Sequence, residues 1–182
     1  MPKLIVLNGP LGIGKSTLAR LYADDHPLTL NLDIDTVWAM LGRWREKKDT
    51  ALPLSKQIAI EMARVTLTAG HDVVIPQIIQ DLELMLLLEQ LAATCAADYY
   101  EILLYADKEE SIRRFVERGK SQGYPDGFRT GGTIDTGGHE KLLAQMYDNM
   151  MNVADQRPNT IRIKPTHGDP SATYAALLAA VQ

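Results

Sequence analysis

Gly9, Gly14, Lys15 and Ser16 stand in the spacing G-x-x-x-x-G-K-S, and that spacing has a definite chemical use. Glycines let a backbone bend tightly around phosphate oxygens, and successive amides at the start of a helix turn positive potential toward the anion. A lysine at this place reaches the β and γ phosphates of ATP, while the following hydroxyl sits on magnesium (Mg2+). The residues assigned to nucleotide binding are therefore Gly9, Gly12, Ile13, Gly14, Lys15, Ser16 and Thr17, with Ser16 also a metal ligand and Lys15 also a catalytic group. The competing reading is a glycine-rich turn with no anion to hold. Nothing in the motif says whether the γ phosphate goes to water, a small molecule, a protein or a nucleic-acid end.

Asp33 and Asp35 offer a second chemistry. From Leu28 the sequence alternates, with Leu28, Leu30, Leu32 and Ile34 on one side and Thr29, Asn31, Asp33 and Asp35 on the other. This is a strand pattern whose polar side ends in two carboxylates. Sites in open α/β sheets form beyond the carboxyl ends of the strands, so the pair should face the phosphate loop. Asp35 is the candidate base for the proton of an attacking hydroxyl, and Asp33 a candidate ligand of a magnesium-bound water. Aspartate is also a favoured N-cap, and Asp35 before an apolar helical stretch reads equally as a cap; the two roles are compatible.

Cations come later in the chain. Arg114 and Arg118, four residues apart on one helix face, are the candidates for stabilising charge on a migrating phosphoryl group, ahead of Arg113. Glu109 with Arg113 and Glu110 with Arg114 are also i,i+4 pairs, which makes surface ion pairing the alternative. The cluster Arg43, Arg45, Lys47 and Lys48 is diluted by Glu46 and Asp49 and reads as a solvated face.

The elements that must position these groups alternate between strand and helix. Lys3 to Asn8 is a short buried strand, Lys15 to Asp25 a helix, and Leu28 onward the second strand. A helix capped by Asp35 should run to Gly42, followed by a charged connector to Thr50 and a helix from Leu54 to Ala69. Val73 to Ile75 and Tyr99 to Tyr105 read as strands around a helix of Leu84, Leu88, Leu91 and Cys95. A helix begins at Asp107-x-x-Glu110, another covers Lys141 to Asp155, Thr160 to Lys164 is the last strand, and Asp169-Pro170 opens the terminal helix. Between them, residues 119–138 hold seven of the chain's thirteen glycines and are expected to form a mobile lid, with Lys120, Tyr124 and Arg129 as residues that could meet substrate. The expected fold is an α/β three-layer sandwich, with a five-stranded parallel sheet and helices on both faces, in a single domain spanning 1–182.

Composition bounds the rest. The chain has 182 residues, 46% apolar and 23% charged, which excludes collagen-like, disordered and disulfide-framework classes. Its net charge of -4 gives no general pull toward nucleic acid. Cys95 is the single cysteine and the four histidines have no metal or triad spacing. No apolar run approaches a membrane span and no signal peptide is recognisable, so the expected location is the cytoplasm.

The loop, then Leu30-Asn-Leu-Asp33-Ile-Asp35-Thr-Val, then Gly70-x-Asp72-Val-Val-Ile, resembles the small P-loop kinases of the nucleoside-monophosphate-kinase-like branch, including chloramphenicol phosphotransferase, tunicamycin-resistance and zeta-toxin-like proteins. The resemblance implies the P-loop NTPase fold and makes Asp35 the match to the acid that activates the acceptor hydroxyl. It also implies lid arginines near Arg114 and Arg118, and an adenine site near the Thr166 to Pro170 turn. Two positions depart from it. Gln77 follows the third strand where many P-loop proteins keep a magnesium-associated aspartate, and Trp38 stands where polynucleotide kinases of this branch carry an arginine. The first leaves Asp33 or water to complete a metal shell, or makes Gln77 a polar group of the acceptor pocket. The second argues against nucleic acid and for a flat or apolar acceptor, the alternative being a tryptophan that is simply core.

These readings converge on transfer of the γ phosphate of ATP to a hydroxyl of a small molecule such as an antibiotic or metabolite. The rivals are a nucleotide-sugar or nucleic-acid-end kinase and an ATP-dependent switch. A GTP switch would need an Asn-Lys-x-Asp after the fourth strand, and none is found. Oligomeric state is left open.

Overall fold

The computed structural model describes residues 1–122, 136–166 and 168–182, and of residues 118–122 and 136–139 the backbone alone. Five strands, β1 (Lys3–Asn8), β2 (Leu30–Asn31), β3 (Val73–Pro76), β4 (Asp98–Leu104) and β5 (Ile161–Ile163), form one sheet in the order β2-β3-β1-β4-β5. Every pairing is parallel. The helices are α1 (Lys15–Asp25), α2 (Ile34–Ala39), α3 (Lys48–Thr68), α4 (Leu82–Thr94), α5 (Lys108–Gln122), α6 (Thr136–Asp155) and α7 (Pro170–Ala180).

The apolar run of β1 explains the layering. Successive strand residues point to opposite faces. Accordingly Leu4 and Val6 pack in a core with Ala59, Ala63 and Leu67 of α3 and Leu84 and Leu88 of α4. Ile5 and Leu7 pack on the other side with Leu18 and Tyr22 of α1 and Leu177 of α7. Val73 and Ile75 join the first core and Val74 the second. A strand buried on both faces cannot alternate in polarity, and β1, β3 and most of β4 do not. The expected three-layer α/β/α sandwich with a five-stranded parallel sheet is the observed fold, and no described helix is long and apolar enough to cross a membrane.

Three boundaries differ from expectation. The alternating stretch from Leu28 to Asp35 pairs with β3 only at Leu30 and Asn31, its last backbone bond to β3 runs from the Leu32 amide to the Val74 carbonyl at 2.9 Å, and the chain leaves the sheet before Asp33. The second helix consequently begins at Ile34, and its N-cap is Asp33, whose carboxylate accepts from the amides of Asp35 at 2.9 Å and Thr36 at 3.4 Å. Asp35 is therefore not the cap. The charged connector after Gly42 is a 3-10 turn, Trp44–Glu46, and α3 starts at Lys48, ahead of Pro53. A proline in the second turn forgoes one backbone bond, and the buried Ser55 hydroxyl donates back to the Leu52 carbonyl at 2.8 Å. Other expected ends hold: Asp107 accepts from the amides of Glu109 and Glu110, and Asp169 from Ala172.

Candidate active site

The loop between β1 and α1 is fixed from below by Asn8, which is 2% exposed. Its side-chain oxygen accepts from the amides of Gly9 at 2.8 Å and Ile79 at 2.9 Å, and its amide nitrogen donates to the Ile79 carbonyl at 3.2 Å. One buried side chain thus ties the phosphate loop to the segment after β3. An asparagine before Gly-Pro is the only sequence trace of this tie, and its partner lies 71 residues away. Asn8→Ala strands three buried backbone groups, each worth about 1–3 kcal/mol when unsatisfied. Partial resolvation should limit the measured loss in urea unfolding to roughly 2–4 kcal/mol, and a loss under about 0.5 kcal/mol would show the tie to be dispensable.

Gly9 has no room for a side chain, since a Cβ there would stand 2.6 Å from the Leu104 carbonyl oxygen. Gly14 immediately precedes α1 at φ 108, a left-handed conformation that other residues rarely adopt. Helix α1 starts at Lys15 and directs its first amides back toward the loop. The Lys15 side chain curls the same way: its ammonium donates to the carbonyls of Gly9 at 2.7 Å and Pro10 at 2.9 Å, and the residue is 7% exposed.

A cleft of about 700 Å³ opens at this end of the sheet. Gly12, Gly14, Lys15, Ser16 and Thr17 line one part of it, and Asp33, Asp35, Trp38 and Gln77 another. Helix α2 explains the second group. Ile34 and Val37 face the core, which leaves Asp35 and Trp38, three residues apart, together toward the cleft. Gln77, just past β3, donates to Asp35 Oδ1 at 3.4 Å. Protein crowding around the Asp35 carboxyl pushes its pKa up, and the neighbouring Asp33 carboxylate adds to this; the Gln77 bond and the Lys15 charge act in the opposite direction. Asp35 is open to the cleft, so solvent moderates the shift.

The cleft also contains residues that the sequence pattern did not single out. Trp44 packs against Trp38 with ring centroids 4.2 Å apart, and the Arg45 guanidinium lies 4.4 Å from the Trp44 centroid. Lys56 of α3 bonds to Asp81 at 3.2 Å, and Asp81 also caps α4. The indole nitrogen of Trp38 and the side-chain oxygen of Gln77 are both buried with no hydrogen-bond partner among the described residues.

The arginines are arranged differently. Arg114 forms an ion pair with Glu110 and is not among the cleft-lining residues, while Arg113 lies 3.9 Å from Glu117 rather than pairing with Glu109. Arg43 pairs with Glu46. Residues 119–122 of the expected lid continue α5 and residues 136–138 belong to α6; the side chains of Arg118 and Lys120, residues 123–135 with Tyr124 and Arg129, and His167 of the last turn lie outside the described residues.

Among the described residues, no group of three or more His, Cys, Asp or Glu is placed to hold a metal ion. The donors expected to take part, the Ser16 hydroxyl and the Asp33 carboxylate, both line the cleft. That set fits magnesium, which needs only one or two protein oxygens when phosphates and water supply the others.

The family model of the AAA domain matches residues 4–129. The fold is similar to that of the tunicamycin resistance protein of Deinococcus radiodurans, with a TM-score of 0.60 at 15% identity, covering 100% of this chain and 96% of that one. It is also similar to an APS kinase of Mycobacterium tuberculosis solved in complex with AMPPNP and APS, with a TM-score of 0.59 at 20% identity, covering 99% and 97%. Identities this low describe a shared fold. No curated protein matches the chain at a significant level.

Proposed function

The chain belongs to the AAA-domain family, and from that premise we propose that it is a phosphotransferase that moves the γ phosphate of ATP to a hydroxyl of a small molecule. The observation that carries this reading is the meeting, on one cleft, of a phosphate-binding loop with a carboxylate of raised pKa. A similar fold holds AMPPNP in the APS kinase, which supports an ATP-type nucleotide at Gly9 to Ser16.

Each group has a defined task. The amides from Gly12 to Thr17 and the Lys15 ammonium bind phosphate oxygens and hold the chain end in line. Ser16 and Asp33 would hold magnesium, which supplies charge neutralisation on the phosphates. Asp35 accepts the proton of the attacking hydroxyl, and its raised pKa brings it closer to the range where a base is effective at neutral pH. Gln77 holds the Asp35 carboxylate toward the acceptor. Arg114 and Arg118 are proposed to approach the migrating group; for Arg114 this requires exchange of its Glu110 partner for phosphate.

The test is ADP release from Mg-ATP across hydroxyl-bearing antibiotics, nucleosides, sugars and RNA ends. Stimulation by one acceptor class, with phosphate found on that acceptor's hydroxyl by mass spectrometry, is the expected result. ATP binding without stimulation by any class would move the assignment to a nucleotide-dependent switch.

A further inference from the structure

The half of the cleft away from the phosphate loop has a surface and a charge that narrow the acceptor. The chain contains two tryptophans, and both line this cleft in mutual contact. Trp44 is 7% exposed and is held by Trp38 and Arg45, so it backs its neighbour rather than offering a face of its own. Trp38 is half-buried and its indole nitrogen is fully covered, so what its ring shows to the cleft is carbon. Leu52, 41% exposed, lines the same region. An orphaned indole N–H costs about 1–3 kcal/mol, against which a phenylalanine would cost nothing in hydrogen bonding. A tryptophan kept in such a place serves its ring face.

The charge is equally one-sided. The described charged side chains lining the cleft are Lys15 and Lys56 against Asp33, Asp35 and Asp81. Lys56 is paired with Asp81, Lys15 lies at the phosphate loop where the nucleotide's phosphates would meet its charge, and Asp33 is assigned to magnesium, which leaves Asp35, among the described lining residues, as the uncompensated charge beside Trp38. Arg45 lies over Trp44 and is not part of the lining. A phosphate, sulfate or carboxylate on the acceptor would be brought against the Asp35 carboxylate.

Resting on the phosphotransferase reading, we propose that the acceptor is a ring-bearing alcohol without an anionic group, its ring lying on Trp38 and its hydroxyl turned to Asp35. Trp38 is then a specificity residue. The APS of the similar kinase, or a nucleic-acid end, is the wrong kind of acceptor here.

Because both tryptophans are at the site, their fluorescence reports acceptor binding directly, whether or not transfer follows. With Mg-AMPPNP present, a library of alcohols is titrated that includes matched pairs: thymidine and its 5′-monophosphate, 4-(hydroxymethyl)benzamide and 4-(hydroxymethyl)benzoate, with glycerol as the ringless member. Binders are expected among the uncharged ring-bearing alcohols, with the anionic partner of each pair at least about tenfold weaker. Trp38→Ala should raise Kd and KM for those binders about tenfold while changing kcat much less, and Trp38→Phe should recover most of the affinity. Binders confined to anionic or ringless alcohols, no binder among uncharged ring-bearing ones, or affinities indifferent to Trp38→Ala would overturn the proposal, with the pairwise comparison on the unaltered protein deciding it if Trp38→Ala does not fold. A fluorescence response with no transfer to any binder would instead overturn the phosphotransferase reading and leave the pocket's preference standing.

Discussion

Lys15→Ala should lower acceptor-dependent kcat/KM by about a thousandfold, with the protein still folded by circular dichroism. Two losses combine. The first is charge: a buried ammonium set among the loop carbonyls is the one described cation lining the cleft next to the phosphate loop, and charge stabilisation is the main contribution a protein makes to phosphoryl transfer. The second is geometry, because the carbonyls of Gly9 and Pro10 lose a shared donor and the loop loses an internal tie. Lys15→Arg separates the two, since it keeps charge but its planar fork cannot replace a compact ammonium between two carbonyls. It should recover nucleotide affinity better than turnover. Lys15 also lowers the proton affinity of Asp35, so whatever activity remains in Lys15→Ala should have its acid limb displaced to higher pH. Unchanged turnover in Lys15→Ala would remove the loop from the mechanism.

How far the sequence reveals this site depends on how far apart its parts are in the chain. The phosphate loop is eight contiguous residues, and its strand and helix carry unambiguous local patterns, so β1 and α1 were expected with the bounds observed. Asp35 was legible as a cleft residue because alternation and the strand-end rule place it. Its supposed capping role went to Asp33, since periodicity shows which side a residue faces and not where pairing stops; the last backbone bond to β3 is made by the Leu32 amide, and Asp33 follows it. Trp44, Lys56 and Asp81 were not singled out at all. Their meaning comes from partners on other elements, as with the Lys56–Asp81 bond across 25 residues, and nothing local marks them. The same holds for Arg157, which bridges Glu89 and the buried Glu101 on separate elements. For Arg114 the local alternative, an i,i+4 pair with Glu110, is the contact observed.

Asp35→Asn should cost about a hundredfold to ten-thousandfold in kcat with little change in ATP affinity, which is the contribution expected of a positioned general base. The pH profile identifies the role more sharply than the magnitude does. In the unaltered protein, crowding raises the Asp35 pKa, so acceptor-dependent turnover should climb through an acid limb displaced upward from the ordinary value of an aspartate. Asp35→Asn cannot ionise and should lack that limb, whereas a residue that only shaped the pocket would leave it in place. Stability gives an independent sign. A carboxyl whose folded pKa is raised binds its proton more tightly in the native state than in the unfolded one, so its favourable contribution is present in acid and is lost as pH rises through the folded pKa. At neutral pH the ionised Asp35 is thus a net cost beside Asp33, reduced by the solvent in the cleft. The inactive Asp35→Asn protein should therefore melt at a slightly higher temperature than the active one at pH 7, with the difference vanishing or reversing in acid. A lower Tm at pH 7 would mean that Asp35 contributes to holding the fold, and a retained acid limb would assign the proton transfer to another group.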